Sequence, residues 1–221
     1  MIKELIRELV PVDDIIWGLY TFRRDPICNK LTDTQKIEMI KKANECGRQE
    51  AIGLIYKYGI MTCHQYAKQL GLTISEIDEK NADDYILFAK FNSPNNIFIN
   101  IKNVKKVNEL VSAENMHILI DEVDIEDVLI AHEMFHFIEG QNKKMYTSNE
   151  KIMLWKLGPI KYTSRLIALG EIAAMAFAKE LFNLSYNPNL FDVLLLYPHD
   201  EKKAKMLYDE INDVKGADIN A

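Results

Sequence analysis

Between Val128 and Ile138 the chain reads VLIAHEMFHFI, a run whose only polar side chains are His132, Glu133 and His136. A segment apolar on every side except for such a trio reads as a buried helix. Its start is signalled by Asp124, Glu126 and Asp127, which offer an N-cap and set negative charge against the positive end of the helix dipole. At helical spacing the two imidazoles share one face and Glu133 is offset from it. Two neighbouring imidazoles in an apolar interior are costly unless their nitrogens are satisfied, and one divalent cation satisfies both. His-Glu-x-x-His on a helix is the arrangement in which two neutral imidazoles bind Zn²⁺ while the intervening carboxylate reaches the metal-bound water.

A catalytic zinc requires a third protein ligand and an open position. The extended metzincin pattern is absent, because Glu139 and Asn142 stand where its glycine and third histidine belong. Further along, LIALGEIAAMAFAKELF at 166–182 holds Glu171 among apolar residues, with no basic side chain three or four positions away. Such a carboxylate needs a cation. Gly170, Ala173, Ala174, Ala176 and Ala178 would let this helix approach the histidine helix closely. Glu171 is therefore the favoured third ligand. Glu180 and Glu139 are the other carboxylates in range; the first reads as a solvated helix end, the second as a helix-end carboxylate before Gly140.

HEMFH at 132–136 followed by GEIAAMAFAKEL at 170–181 resembles the gluzincin group of zinc metallopeptidases, closest in style to the small ImmA/IrrE-like and minigluzincin proteins. YGIMTCHQYAKQLGL at 58–72 and IFINI at 97–101 resemble the leading helix and the substrate-side strand of that group, so the likeness covers roughly 58–186. The resemblance implies an α+β, zincin-like fold, with a small mixed sheet over a buried zinc-binding helix and a mostly helical lower half. The expected organisation is a metallopeptidase domain at 58–221 with a helical C-terminal tail, preceded by a helical N-terminal extension at 1–57; residues 1–57 and those after 186 lie outside the likeness. The resemblance implies zinc held by His132, His136 and Glu171, and hydrolysis of peptide bonds in a protein or peptide substrate. Glu133 would take a proton from the zinc-activated water and return it to the leaving amine. An alternative is a zinc-holding regulatory or sensor protein that cleaves nothing. Met175 stands where related proteins place an Asp or Asn that orients a histidine, so that orientation must come from elsewhere. Tyr146, Tyr162, Arg165 and His199 are the candidate oxyanion donors. If Ile97–Ile101 forms the sheet edge over the cleft, an extended peptide can add to it as a strand.

The chain has 221 residues, with 27 Lys and Arg against 33 Asp and Glu, a net charge of −6. That balance argues against a nucleic-acid partner, which needs a clustered basic excess. TCHQYAKQLGLTISEI at 62–77 imitates a helix-turn-helix, yet it carries only Lys68 as a cation and leads into Glu76, Asp78 and Glu79. Hydrophobic residues at 48% and charged ones at 27% suit a chain with a sizeable core. Charges at Lys3, Glu4, Arg7 and Glu8 leave no room for a secretory signal, and Cys28, Cys46 and Cys63 fit reduced thiols, so the expected location is cytoplasmic. The longest apolar runs, 166–178 and 190–197, fall short of the ~20 residues of a membrane span, and no membrane partner is expected.

Helices are expected at Lys3–Val10 and Asp13–Arg24, and from a Thr32/Gln35 capping box through Ile37, Ile40 and Ala43. A separate helix is expected at Gln49–Tyr58, ending at Gly59, and another at Cys63–Leu70 between Thr62 and Gly71. Tyr85–Phe91 and Ile97–Ile101 read as a hairpin, Lys102–Ala113 as a helix, and Met116–Ile120 as a short strand. Lys151–Asp213 reads as mostly helical, punctuated by Pro159 and Pro188. His64, His117 and His199 are expected at the surface or in loops.

Overall fold

A computed structural model describes residues 1–78, 86–121 and 123–218. The chain opens with three helices, α1 (Ile2–Leu9), α2 (Asp14–Arg23) and α3 (Asp33–Tyr58). Thr32 and Gln35 make the expected reciprocal capping box on α3. This helix does not stop near residue 48. The two helices read from the sequence are one 26-residue helix, because the glycine at its middle, Gly47, is held against a neighbouring helix and breaks nothing.

The next elements are α4 (Cys63–Leu70) and β1 (Thr73–Ile77). Thr62 and Gln65 cap α4, and Gly71, at φ 74°, ends it in the left-handed conformation that glycine adopts without cost. The helix-turn-helix likeness ends there, since TISEI forms a strand where a second helix would begin. A hairpin follows, β2 (Ala89–Asn92) and β3 (Asn96–Asn100), as the asparagine-rich turn implies. Tyr85, the start of the expected first strand, lies outside the described residues.

The sheet order is β1-β3-β2, with β3 parallel to β1 and antiparallel to β2. The sheet is therefore mixed. Its edge toward the histidine helix is β2, which corrects the expectation that residues 97–101 form the edge: β3 is the central strand. Parallel pairing with β1 across a long connection places it there, and nothing local in IFINI announces that.

Then come α5 (Ile101–Ala113), α6 (His117–Ile120) and α7 (Ile125–Gln141). The strand expected at Met116–Ile120 is a helical turn. Met116 and Ile120 are both buried while His117 and Ile118 are exposed, the four-residue period of a helix and not the alternation of a strand. Asp124 caps α7 by accepting from the Glu126 amide at 2.9 Å. The sheet lies on α7, where Phe91 of β2 packs edge-on against Phe137 at a centroid distance of 5.9 Å.

After α8 (Tyr146–Asn149) the chain forms β4 (Ile152–Leu157) and β5 (Ile160–Ser164), a two-stranded hairpin turning at Gly158-Pro159. Within the stretch read as mostly helical, 151–213, this corrects the first part, which is strand. The signal for it was present in Gly158-Pro159 between two apolar runs. Helical from there on, the chain forms α9 (Ile167–Leu181), α10 (Phe191–Leu196) and α11 (Glu201–Asp218).

α9 lies at the centre, between α3 and α7. Small residues bring it close, and Gly47 of α3 sits so near the α9 backbone that an added Cβ would stand 2.0 Å from the Ala173 carbonyl oxygen. The described structure is thus α+β and mostly helical, with α1, α2 and α3 contributing Ile6, Trp17, Tyr20 and Ile40 to the same buried core as α9, α10 and α11. No described helix is long and apolar enough to cross a membrane.

Candidate metal centre

His132 and His136 stand one turn apart on α7, and Glu171 enters from α9 across the helix interface. The structure brings these three residues together, with their ligand atoms close enough to hold one metal ion. The Nε2 atoms of the two imidazoles are 3.1 Å apart. Glu171 lies 3.2 Å from His132 Nε2 through Oε2 and 3.5 Å from His136 Nε2 through Oε1. Each imidazole thus faces a different oxygen of the carboxylate, and with one ligand atom taken from each residue the three donors lie within 4.8 Å of one another, near enough to share one small cation. The side chains are only partly enclosed: 14% of His132, 21% of His136 and 42% of Glu171 is exposed. His132 and Glu171 line a chamber that opens to solvent, not a sealed interior.

Electrostatics show what the three donors do without a cation. Burial alone would push the His132 imidazolium toward neutrality, but the hydrogen bond and charge of Glu171, with Glu133 and Asp192 beyond, raise its pKa to about 9. Burial works against the Glu171 carboxylate as well, yet His132 and His136 lower it to about 2. The metal-free centre is therefore a proton-bridged pair at neutral pH. A metal needs the Nε2 lone pair, so the His132 proton must leave. Apparent zinc affinity is expected to fall roughly tenfold per unit as pH drops from 8 to 6.5, with about one proton released per ion bound. Calorimetric zinc titrations in buffers of different ionisation enthalpy measure both; affinity independent of pH would contradict it.

The outer nitrogens of the two rings differ. His136 Nδ1 faces the Glu139 carboxylate at 3.7 Å. Burial pushes Glu139 up, but His136 and Thr147 hold it below the usual carboxylate range. Glu139 thus lies behind the His136 ring, where a carboxylate can orient an imidazole. The sequence carries the signal, since 136 and 139 are three apart on one helix. The outer nitrogen of His132, Nδ1, is buried with no hydrogen-bond partner among the described residues. Glu180 is not part of the cluster, as its solvated reading expected.

Glu133 points the other way round α7. Its Oε2 accepts a 2.7 Å hydrogen bond from the backbone amide of Phe91 on β2, which ties the carboxylate to the sheet edge. Glu133, His132 and Glu171 border a cavity of about 380 Å³ whose wall is largely apolar, including Phe88, Leu129, Ile167 and Leu195. Two polar residues of that wall, Arg24 and Asp192, escaped the sequence reading. Asp192 Oδ2 accepts from Arg24 Nη1 at 3.1 Å and from the Tyr20 hydroxyl at 3.2 Å, and Arg24 also bonds the Tyr20 hydroxyl. Burial pushes the Asp192 carboxyl up, against the pull of Arg24 and Tyr20. None of the four candidate oxyanion donors, Tyr146, Tyr162, Arg165 and His199, lines this cavity. His199 sits behind its wall, with its ring against Phe88 at 5.5 Å, while His64 and His117 are exposed.

Comparison of the chain with protein-family models, with curated proteins and with solved structures returns no significant match. The functional reading therefore rests on the residues and their geometry.

Proposed function

We propose that the protein is a zinc-dependent peptidase of the gluzincin type, with His132, His136 and Glu171 as metal ligands and Glu133 as the proton carrier. The observation that supports this best is the convergence of two helix-borne Nε2 atoms and a carboxylate at mutual distances of 3.1–3.5 Å, with a second carboxylate on the next residue of the same helix. A zinc ion held there would supply Lewis acidity, lowering the pKa of a bound water from ~15.7 toward ~7 and polarising a carbonyl. Glu133, anchored through one oxygen by Phe91, would use its other oxygen to hold a proton and hand it to the departing amine.

The edge strand supplies a place for the peptide. The Phe91 amide points away from β3 toward Glu133, and Ala89, two residues back, faces the same side by the period of a strand. A substrate laid along β2 as an added strand would bring its backbone past the metal ligands and its apolar side chains into the 380 Å³ cavity.

The test is digestion of an unbiased peptide library by zinc-loaded protein, with Glu133→Gln as the control. Cleavage is expected to fall by a factor of 10²–10⁴ in the variant, with zinc content unchanged. Equal cleavage by both would remove Glu133 from its role. Zinc binding with no cleavage by either would favour the alternative, a metal-holding regulatory or sensor protein.

A further inference from the structure

The β4–β5 hairpin packs substantially against no other element, and it carries a concentration of exposed apolar side chains: Leu157 is 71% exposed and Ile160 61%, with Trp155 and Tyr162 about half exposed. Beyond an irregularity between Met153 and Trp155 the cross-strand pairs are Trp155 with Tyr162, Lys156 with Lys161, and Leu157 with Ile160. Strand alternation puts the first and third pairs on one face and the two lysines on the other. The aromatic pair is stacked, with centroids 5.5 Å apart. No acidic residue occurs from Lys151 through Gly170, while Lys151, Lys156, Lys161 and Arg165 all fall in that stretch of a chain whose net charge is −6. Ammonium groups directly opposite one another weaken a ribbon, and among the described residues no carboxylate pairs with either lysine. The ribbon is thus apolar at its tip, aromatic on one face, and cationic without internal compensation.

We propose that this hairpin is a peripheral docking element for an anionic lipid surface. Leu157 and Ile160 at the turn would enter the boundary between headgroups and acyl chains. Trp155 and Tyr162, two residues or about 7 Å behind them, match the depth at which amphipathic rings sit in that interface. Lys156 and Lys161 have stems long enough to keep their charges among anionic headgroups. Charge complementarity favours this partner, and a second copy of the chain fits poorly. Four side chains bury far less than the ~800 Å² per partner of a stable interface. The expectation of no membrane partner is drawn from the lack of a spanning segment, and a surface-bound ribbon needs none. Ile167, three residues past the end of β5, is exposed and lines the cavity, so docking would hold the cavity rim within ~10 Å of the ribbon's base. The proposal does not depend on the metal centre.

Tryptophan fluorescence gives a direct readout, because the other tryptophan, Trp17, is fully buried. The full chain is mixed with vesicles of phosphatidylcholine alone or with 30% phosphatidylserine. With the anionic vesicles, co-sedimentation and a blue shift of Trp155 emission are expected, weakened by salt. Lys156→Gln with Lys161→Gln is expected to lower the partition coefficient ~30-fold, a factor of about five per lysine. Leu157→Ser with Ile160→Ser is expected to abolish the blue shift while salt-sensitive association survives. Any one of three results would overturn the proposal: no partition into anionic vesicles at low salt, equal partition into neutral ones, or a concentration-dependent dimer that alone accounts for shielding of Trp155.

Discussion

Replacing Glu171 by Ala is expected to cost at least ~100-fold in zinc affinity, beyond the 10–100-fold that loss of an outer orienting partner costs. His136→Ala should do the same. Both variants should fold: Glu171 is 42% exposed and His136 21%, so neither truncation opens a large void. Wild type, by contrast, should hold one ion per chain and gain stability from it. At zinc a thousandfold above its dissociation constant the gain is ~4 kcal/mol, and for a chain of this length that raises the melting temperature by about 8–16 °C. Metal analysis after dialysis and thermal melts with and without zinc separate the outcomes. Retention of a full equivalent by Glu171→Ala, at unchanged affinity, would remove the carboxylate from the ligand set and leave only the histidine pair.

The second large effect belongs to the frame that holds α9. At Gly47 an added Cβ would stand 2.0 Å from the Ala173 oxygen, 2.8 Å from the Ala173 carbonyl carbon and 2.9 Å from the Phe177 amide nitrogen. All three atoms are backbone, so no side chain can swing aside, and α3 must separate from α9. Gly47→Ala is therefore expected at or beyond the upper end of the ~1–3 kcal/mol usual for overpacking, a fall in melting temperature of about 6–12 °C. Because α9 carries Glu171, zinc affinity should fall with it. Gly53, in the same helix with nothing within 4 Å of its added Cβ, is the control. There the same substitution should stabilise by up to ~1 kcal/mol. Equal effects at the two positions would mean that helix propensity, and not the close approach, sets the outcome.

What could be read from the sequence was what one element decides alone. HEMFH announces a helix with two imidazoles on one face, and GEIAAMAFAKEL announces a second helix whose small residues permit close packing around Glu171. Thr32 with Gln35 and Thr62 with Gln65 announce helix starts, because caps are satisfied within a few residues. Contacts made by distant segments were not readable. Arg24 and Asp192 are 168 positions apart, and neither residue type implies the other. The placing of β3 in the middle of the sheet depends on β1. In α3, Gly47 looks like a weak point until α9 is in place. The β4–β5 hairpin was missed for another reason: its apolar residues face solvent, so they lack the in-and-out alternation by which a half-buried strand is recognised.

The tie between Tyr20, Arg24 and Asp192 bears on how the molecule is made. A ribosome supplies the N-terminal end first, at about 5–20 residues per second, so α2 waits roughly 10–30 s for the aspartate that completes its polar cluster. His132 precedes Asp192 by 60 positions, so for the last ~3–12 s of that interval the wall beside His132 is missing a side. Glu171 precedes Asp192 by only 21 positions, about 1–4 s of synthesis, so the three clustered side chains and the chamber beside them are completed almost together.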